Sequence, residues 1–231
     1  MTARAIGVAL LSVAVAAGLA CGRPRAIEPR PDAITDFATL YASNCAGCHG
    51  VDGLHGVAQP LNDAPYLSLI GDVRLREVIA RGVPATPMAA FAREAGGSLT
   101  AEQIGAIAAG LRREWGSAPR QPDAVLPAYD AEEAFARGTA RGDVDRGRSA
   151  FATYCARCHG EEGTGGPVAG SIVDEAFLSL TSDQALRTSA IVGRSDEGTP
   201  GWRDYVAGRP MSDQEISDVV AWVASHRGHH D

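Results

Sequence analysis

The chain contains no lysine, and only two methionines besides the initiator. Its positive charge therefore rests on arginine, from which nothing functional follows. Acidic residues outnumber basic ones, giving a formal net charge of -7. No basic stripe of the kind that phosphate binding needs is present, which excludes nucleic acid as a partner. Long hydrophobic runs are also missing. The longest, Ala5 to Ala20, has about 16 residues, short of the about 20 that a membrane span requires. Alternating segments of strand length do not occur, so the expected fold class is all-α. A composition typical of disorder is absent too, with 45% hydrophobic and 21% charged residues. The 231 residues suffice for one large domain or for two of about 100 residues each.

The N-terminus reads as an export signal, with Arg4 ahead of the apolar stretch. Gly18, Leu19, Ala20 and Cys21 are similar to a bacterial lipobox, although leucine stands one place closer to the cysteine than is usual. Cys21 is then the expected acylated first residue of the mature chain. The alternative is an ordinary secretory signal whose cleavage site includes Cys21. Residues 1–21 form the signal and 22–34 a tether, with three prolines between Gly22 and Pro31.

The body of the chain is an internal repeat. Tyr41 and Phe151 each stand four residues before the first cysteine of a Cys-x-x-Cys-His-Gly run. Tyr66-Leu67-Ser68-Leu69 recurs as Phe177-Leu178-Ser179-Leu180, and Asp72 with Arg76 recurs as Asp183 with Arg187. Both copies close on a capped amphipathic helix. Thr100 and Ser212 are the expected N-caps, Gln103 and Glu215 complete capping boxes, and Leu99 and Met211 pair with Ile104 and Ile216 as hydrophobic staples. Two domains are expected at 35–116 and 143–231. A linker at 117–142 holds Pro119, Pro122 and Pro127 and a short helix near Ala131 to Arg137.

Cys-x-x-Cys-His is the attachment signature of c-type haem. Two thiols at that spacing reach the two vinyl groups, and the next residue presents imidazole to iron. The expected sites are Cys45, Cys48 and His49 in the first copy, and Cys155, Cys158 and His159 in the second, giving two covalently bound haem c groups. The rival is one zinc held by Cys45, Cys48, Cys155 and Cys158, which leaves both histidines unexplained. Export favours haem, because unpaired thiols would oxidise outside the cytoplasm.

Both repeats resemble class I cytochrome c domains, over nearly all of the chain outside the signal and linkers. The resemblance implies that a proline carbonyl orients each proximal imidazole, and Pro60 and Pro167 stand at suitable distances. It also implies methionine as the sixth iron ligand. Thr86-Pro87-Met88-Ala89-Ala90-Phe91 matches the family's methionine loop, which assigns Met88. In the second repeat, Thr199-Pro200 aligned with Thr86-Pro87 puts Gly201 in the methionine's place. Three alternatives remain there: Met211 through a rearranged loop, water or an open position, or a histidine among His226, His229 and His230. His55 is expected to be exposed to solvent.

Two aromatic differences stand out: Trp222 should meet Phe151, whereas its counterpart in the first repeat is Gly110, with Trp115 nearby as compensation. What the resemblance implies is a two-haem electron carrier in a respiratory or photosynthetic chain. It would act as a lipid-tethered periplasmic shuttle or as part of a membrane quinol-oxidising or oxidase complex. The acidic excess, 14 Asp and Glu against 8 Arg from Asp143 to Asp231, suits a redox partner with a basic docking surface. An open second iron would instead imply a dihaem peroxidase-like enzyme or a gas sensor.

Overall fold

The computed structural model describes residues 30–116 and 125–228, so the signal, Cys21, His229 and His230 lie outside the described residues. Among those residues the regular structure is helical, apart from two isolated bridges, Ala92 with Leu99 and Arg194 with Thr199. The first domain contains α1 (Phe37–Asn44), α2 (Ala46–His49), α3 (Ala64–Ile70), α4 (Asp72–Arg81) and α5 (Ala101–Trp115). The short linker helix is α6 (Ala131–Ala136). The second domain repeats the series as α7 (Val144–Tyr154), α8 (Ala156–His159), α9 (Glu175–Leu180), α10 (Asp183–Val192) and α11 (Asp213–Ala224).

Side-chain caps explain most of the starts. Asp36, Asp63, Asp130, Asp143, Asp174 and Ser182 each accept a hydrogen bond from the backbone N–H three residues on. Thr100 with Gln103, and Ser212 with Glu215, form complete capping boxes.

Each domain is closed by packing of its opening helix on its last helix, and the two domains do this with opposite partners. In the second, Trp222 of α11 stacks on the fully buried Phe151, with ring centroids 4.2 Å apart. The opening helix makes room with Gly147, where a Cβ would lie 2.0 Å from the Asp218 carbonyl oxygen and 2.7 Å from the Trp222 Cβ. In the first domain the large residue is on the opening helix and the small one on the last. A Cβ on Gly110 would lie 2.1 Å from the Phe37 ring. Phe37, Tyr41 and Trp115 then form an aromatic cluster with centroids 5.1–5.7 Å apart, Trp115 edge-on to both other rings. Trp115 enters from further along its helix than Trp222 does, yet both indole tips approach the matching loop glycine, Gly53 or Gly163.

A buried carboxylate strengthens the second contact. Asp218, 2% exposed, accepts from the Asp143 N–H, from Arg146 at two nitrogens and from Gln214. The linker ties the domains together. Ala128 and Tyr129 are buried, Gln184 of α10 donates to the Tyr129 carbonyl, and Arg74 of α4 pairs with Asp130 at 2.7 Å.

The exchange of large and small residues is testable. Gly110→Ala should cost the first domain about 1–3 kcal/mol by overpacking. Phe37→Ala in the same chain should recover part of that loss. Chemical denaturation of the four members of the cycle measures the coupling, and strictly additive losses would refute the contact.

Candidate haem sites

Each Cys-x-x-Cys-His segment is a kink followed by a single helical turn. α1 ends at Cys45 and α7 at Cys155, both near φ -117°, and the short helices α2 and α8 carry the second cysteine and the histidine. The opening helix thereby fixes the first thiol, and one turn fixes the rest. The four cysteines of these two segments are free thiols. Burial, then the neighbouring Cys48 or Cys158 thiol, pushes Cys45 up to about 11 and Cys155 up to about 12. Among the described residues no three His, Cys, Asp or Glu side chains gather as a metal-binding group, so the four-cysteine zinc centre is not assembled.

The imidazoles are oriented by backbone carbonyls. His49 Nδ1 lies 2.8 Å from the Gln59 carbonyl oxygen, and His159 Nδ1 lies 2.8 Å from that of Gly170. A carbonyl can only accept, so Nδ1 carries the proton and Nε2 keeps its lone pair for a metal. Burial lowers the His49 pKa, against the opposing effect of the Gln59 carbonyl, and so favours the neutral ring. Two unpaired thiols and an imidazole in this tautomer fit a covalently attached haem.

The orienting carbonyls are not those of Pro60 and Pro167. In the first domain the carbonyl belongs to the residue before Pro60, and the buried proline acts by restricting Gln59 to extended backbone. In the second, Pro167 has no structural counterpart. Ala58 N–H and Ala169 N–H both donate to the second cysteine's carbonyl, and Leu61 and Ile172 N–H both donate to the carbonyl of the matching glycine, Gly53 or Gly163. One residue is therefore inserted after Gly166, and Ser171 takes the place of Pro60. The signal was present in the spacing, since Gly56 precedes the N-cap Asp63 by seven residues and Gly166 precedes Asp174 by eight.

The sixth-ligand loop needs a similar correction. Gly82, at φ +70°, turns the chain at the end of α4, and a Cβ there would lie 2.4 Å from the Met88 carbonyl oxygen. Gly193, at φ +75°, stands in the same relation to the Thr199 carbonyl oxygen. Val83 N–H donates to Met88 O, and Arg194 N–H to Thr199 O. The backbone therefore sets Thr199, not Gly201, in the place of Met88. In the first domain, Thr86 Oγ1 donates to the Val83 carbonyl and accepts from the Met88 N–H, which holds the methionine's backbone in a closed turn.

Met211 is packed instead in the core. It is 1% exposed, and its N–H donates to the Trp202 carbonyl as that of Leu99 does to Phe91. This is the staple position of α11, so of the three alternatives for the second iron the one through Met211 would require that side chain to leave the core. His226 is likewise engaged, with Nδ1 2.9 Å from the Trp222 carbonyl oxygen and its ring edge-on to the indole. His55 is exposed.

In the second domain this loop faces the first domain. Asp196 accepts from the His55 N–H at 3.3 Å, Ser195 Oγ donates to Asp63 at 3.2 Å, and Arg194 reaches the Gly56 carbonyl at 3.4 Å. Arg194 also holds Asp196 below the ordinary aspartate range. The Asp196 contribution is thus present above that range and lost only as pH falls through the lowered value. These contacts join the loop after His49 to the loop before Thr199, and no sequence motif announced them.

Comparison with known families agrees with this geometry. A family model described as cytochrome c matches residues 144–227, and one described as cytochrome C oxidase, cbb3-type, subunit III matches residues 32–109. The chain belongs to the class I c-type cytochromes, with two domains in tandem. No curated protein matches it. Among solved structures, dihydro-heme d1 dehydrogenase NirN is 33% identical over 42% of the cytochrome and 18% of its own chain, with a TM-score of 0.30. The cytochrome thus spans under a fifth of that chain. A reducing HAO-like protein complex from Kuenenia stuttgartiensis is 18% identical over 83% of the cytochrome and 96% of its own chain, with a TM-score of 0.49. As cytochrome c domains, both halves bind haem covalently and serve haem-based electron transfer.

The register of the second loop predicts the outcome of two substitutions. In the haem-loaded protein, Thr199→Met should add the weak sulfur-to-iron absorption of a Met-ligated ferric haem, about doubling the band contributed by Met88. Gly201→Met should add none. The reverse result would restore the alignment through Thr199-Pro200.

Proposed function

We propose that the cytochrome is an exported electron carrier with two haems, relaying single electrons between redox proteins of a respiratory or photosynthetic chain. The observation that carries this is the repetition of one arrangement: two free thiols and an imidazole whose Nδ1 is held by a backbone carbonyl, at His49 and again at His159. The haem supplies a one-electron ferric–ferrous couple. Cys45 with Cys48, and Cys155 with Cys158, would hold it through thioethers. His49 and His159 would ligate its iron with their ring orientation fixed by backbone carbonyls, and Met88 would supply a thioether ligand in the first domain. The match to a cbb3-type oxidase subunit supports a setting close to a terminal oxidase. The acidic excess of the second domain suits a basic partner there. Lipid on Cys21 would hold the carrier at the periplasmic face of a membrane.

A second reading draws on one specific observation: Thr199 stands in the place of Met88 while Met211 is buried in the core. An open or water-bound iron would allow peroxidase-like chemistry or gas binding. The charged groups on that loop do not form a free acid–base pair, because Arg194, Asp196 and Ser195 are engaged with one another and with the first domain. Electron relay remains the stronger reading.

Denatured protein should retain two haems per chain in a pyridine haemochrome assay, and Cys45→Ala or Cys155→Ala should each remove one. A count of one or none in the unmodified protein would overturn the relay. Met88→Ala should abolish the sulfur-to-iron band. Carbon monoxide should bind the reduced unmodified protein at one haem only, and Met211→Leu should leave its spectrum unchanged. Detergent phase partitioning should move Cys21→Ser to the aqueous phase, and full solubility of the exported unmodified protein would refute lipidation.

A further inference from the structure

The two domains treat one matched pair of arginines in opposite ways. Arg187 of α10 is buried, and it donates to the Ala128 carbonyl at 3.0 Å, Ser217 Oγ at 3.0 Å and Asp213 Oδ1 at 2.7 Å. Asp213 in turn accepts from the Ala128 N–H at 2.9 Å. A stretch of extended backbone thus lies across the α10–α11 groove, gripped at its N–H by a carboxylate and at its carbonyl by a guanidinium.

The matching arginine of the first domain is Arg76 on α4. Counting from the N-caps Thr100 and Ser212, Ala101 replaces Asp213 and Gly105 replaces Ser217. Arg76 is exposed and, among the described residues, has neither ion pair nor hydrogen bond. Its guanidinium rests against Gly105, where a Cβ would lie 3.3 Å from Nη1. Beside it is an open groove of ≈ 380 Å³, lined by Asp72, Arg76, Ala108, Ala109, Arg112 and Arg113. Arg112 already neutralises Asp72, with Nε 2.7 Å from its Oδ1. Arg113 pairs with Glu114 at 2.9 Å, so the unpaired positive charge at the groove is that of Arg76, on a chain of net charge -7. Its small residues leave room for a backbone, and what it lacks is the carboxylate that completes the second-domain site.

We propose that the α4–α5 groove docks an extended acidic segment of a partner protein, whose carboxylate takes at Arg76 the place that Asp213 takes at Arg187. The inference stands independently of which proteins exchange electrons with the haems. It gives the first domain a preference for acidic partners, opposite to that expected of the acidic second domain.

The test uses the full-length, haem-loaded, reduced protein, labelled with nitrogen-15 and titrated with a hexaglutamate peptide at low salt. Amide shifts should concentrate on α4 and on α5 from Gly105 to Arg113, and should vanish at high salt. Arg76→Gln should weaken binding about fivefold, the upper end for an exposed ion pair, whereas Arg141→Gln should leave it unchanged. Hexalysine should not bind the groove. Shifts centred elsewhere, or affinity unaltered by Arg76→Gln, would overturn the proposal. So would sedimentation showing that the protein self-associates without peptide and that Arg76→Gln abolishes it, since the occupant would then be a second copy.

Discussion

The contact between the opening and closing helices is the constraint from which the rest of each domain follows. The opening helix ends at the first haem-attachment cysteine, and the turn behind it carries the second cysteine and the histidine. Whatever sets the angle and depth of that helix therefore sets the thiols and the imidazole as one body. The two domains meet the requirement with inverted pairs, Phe37 over Gly110 and Trp222 over Gly147. Either arrangement brings the helix backbones close enough for an indole tip to reach the loop glycine behind the histidine. The conserved quantity between the repeats is the volume of the contact, not the identity of the residue on either side.

Much of this was legible in the sequence because it rests on local chemistry. Capping boxes at Thr100 and Ser212, the attachment motifs and the all-α class each depend on residues a few positions apart, whose mutual geometry a helical turn dictates. Two features were not legible for a common reason. The imidazole-orienting carbonyl and the sixth-ligand position are both set by backbone hydrogen bonds within loops, which side-chain identity does not report. Thr199-Pro200 looks like Thr86-Pro87, yet the Arg194 N–H selects the Thr199 carbonyl and so shifts the register. Pro167 falls in a one-residue insertion that counting from His159 alone cannot detect.

Where the first domain has Met88 the second has Thr199, and the same loop carries contacts between the domains. Arg194, Ser195 and Asp196 occupy the stretch that precedes the iron-ligand position, and all three contact the loop that follows His49 in the first domain. Withdrawing Met211 from its place in the core would leave a cavity beneath α11 at a cost of about 2–5 kcal/mol, the range for truncating a buried aliphatic side chain.

Burial of Arg187 holds the described part of the linker against the second domain, even as Asp130 reaches the first. Arg187 needs the Ala128 carbonyl, Ser217 and Asp213 to offset burial of a guanidinium, and that demand holds the chain against α10 and α11. From there Asp130 reaches Arg74, which places the first domain at a distance set by two residues of linker. With Ala101 where the second domain has Asp213, α5 offers no carboxylate to complete a matching grip on backbone, and Arg76 is left exposed.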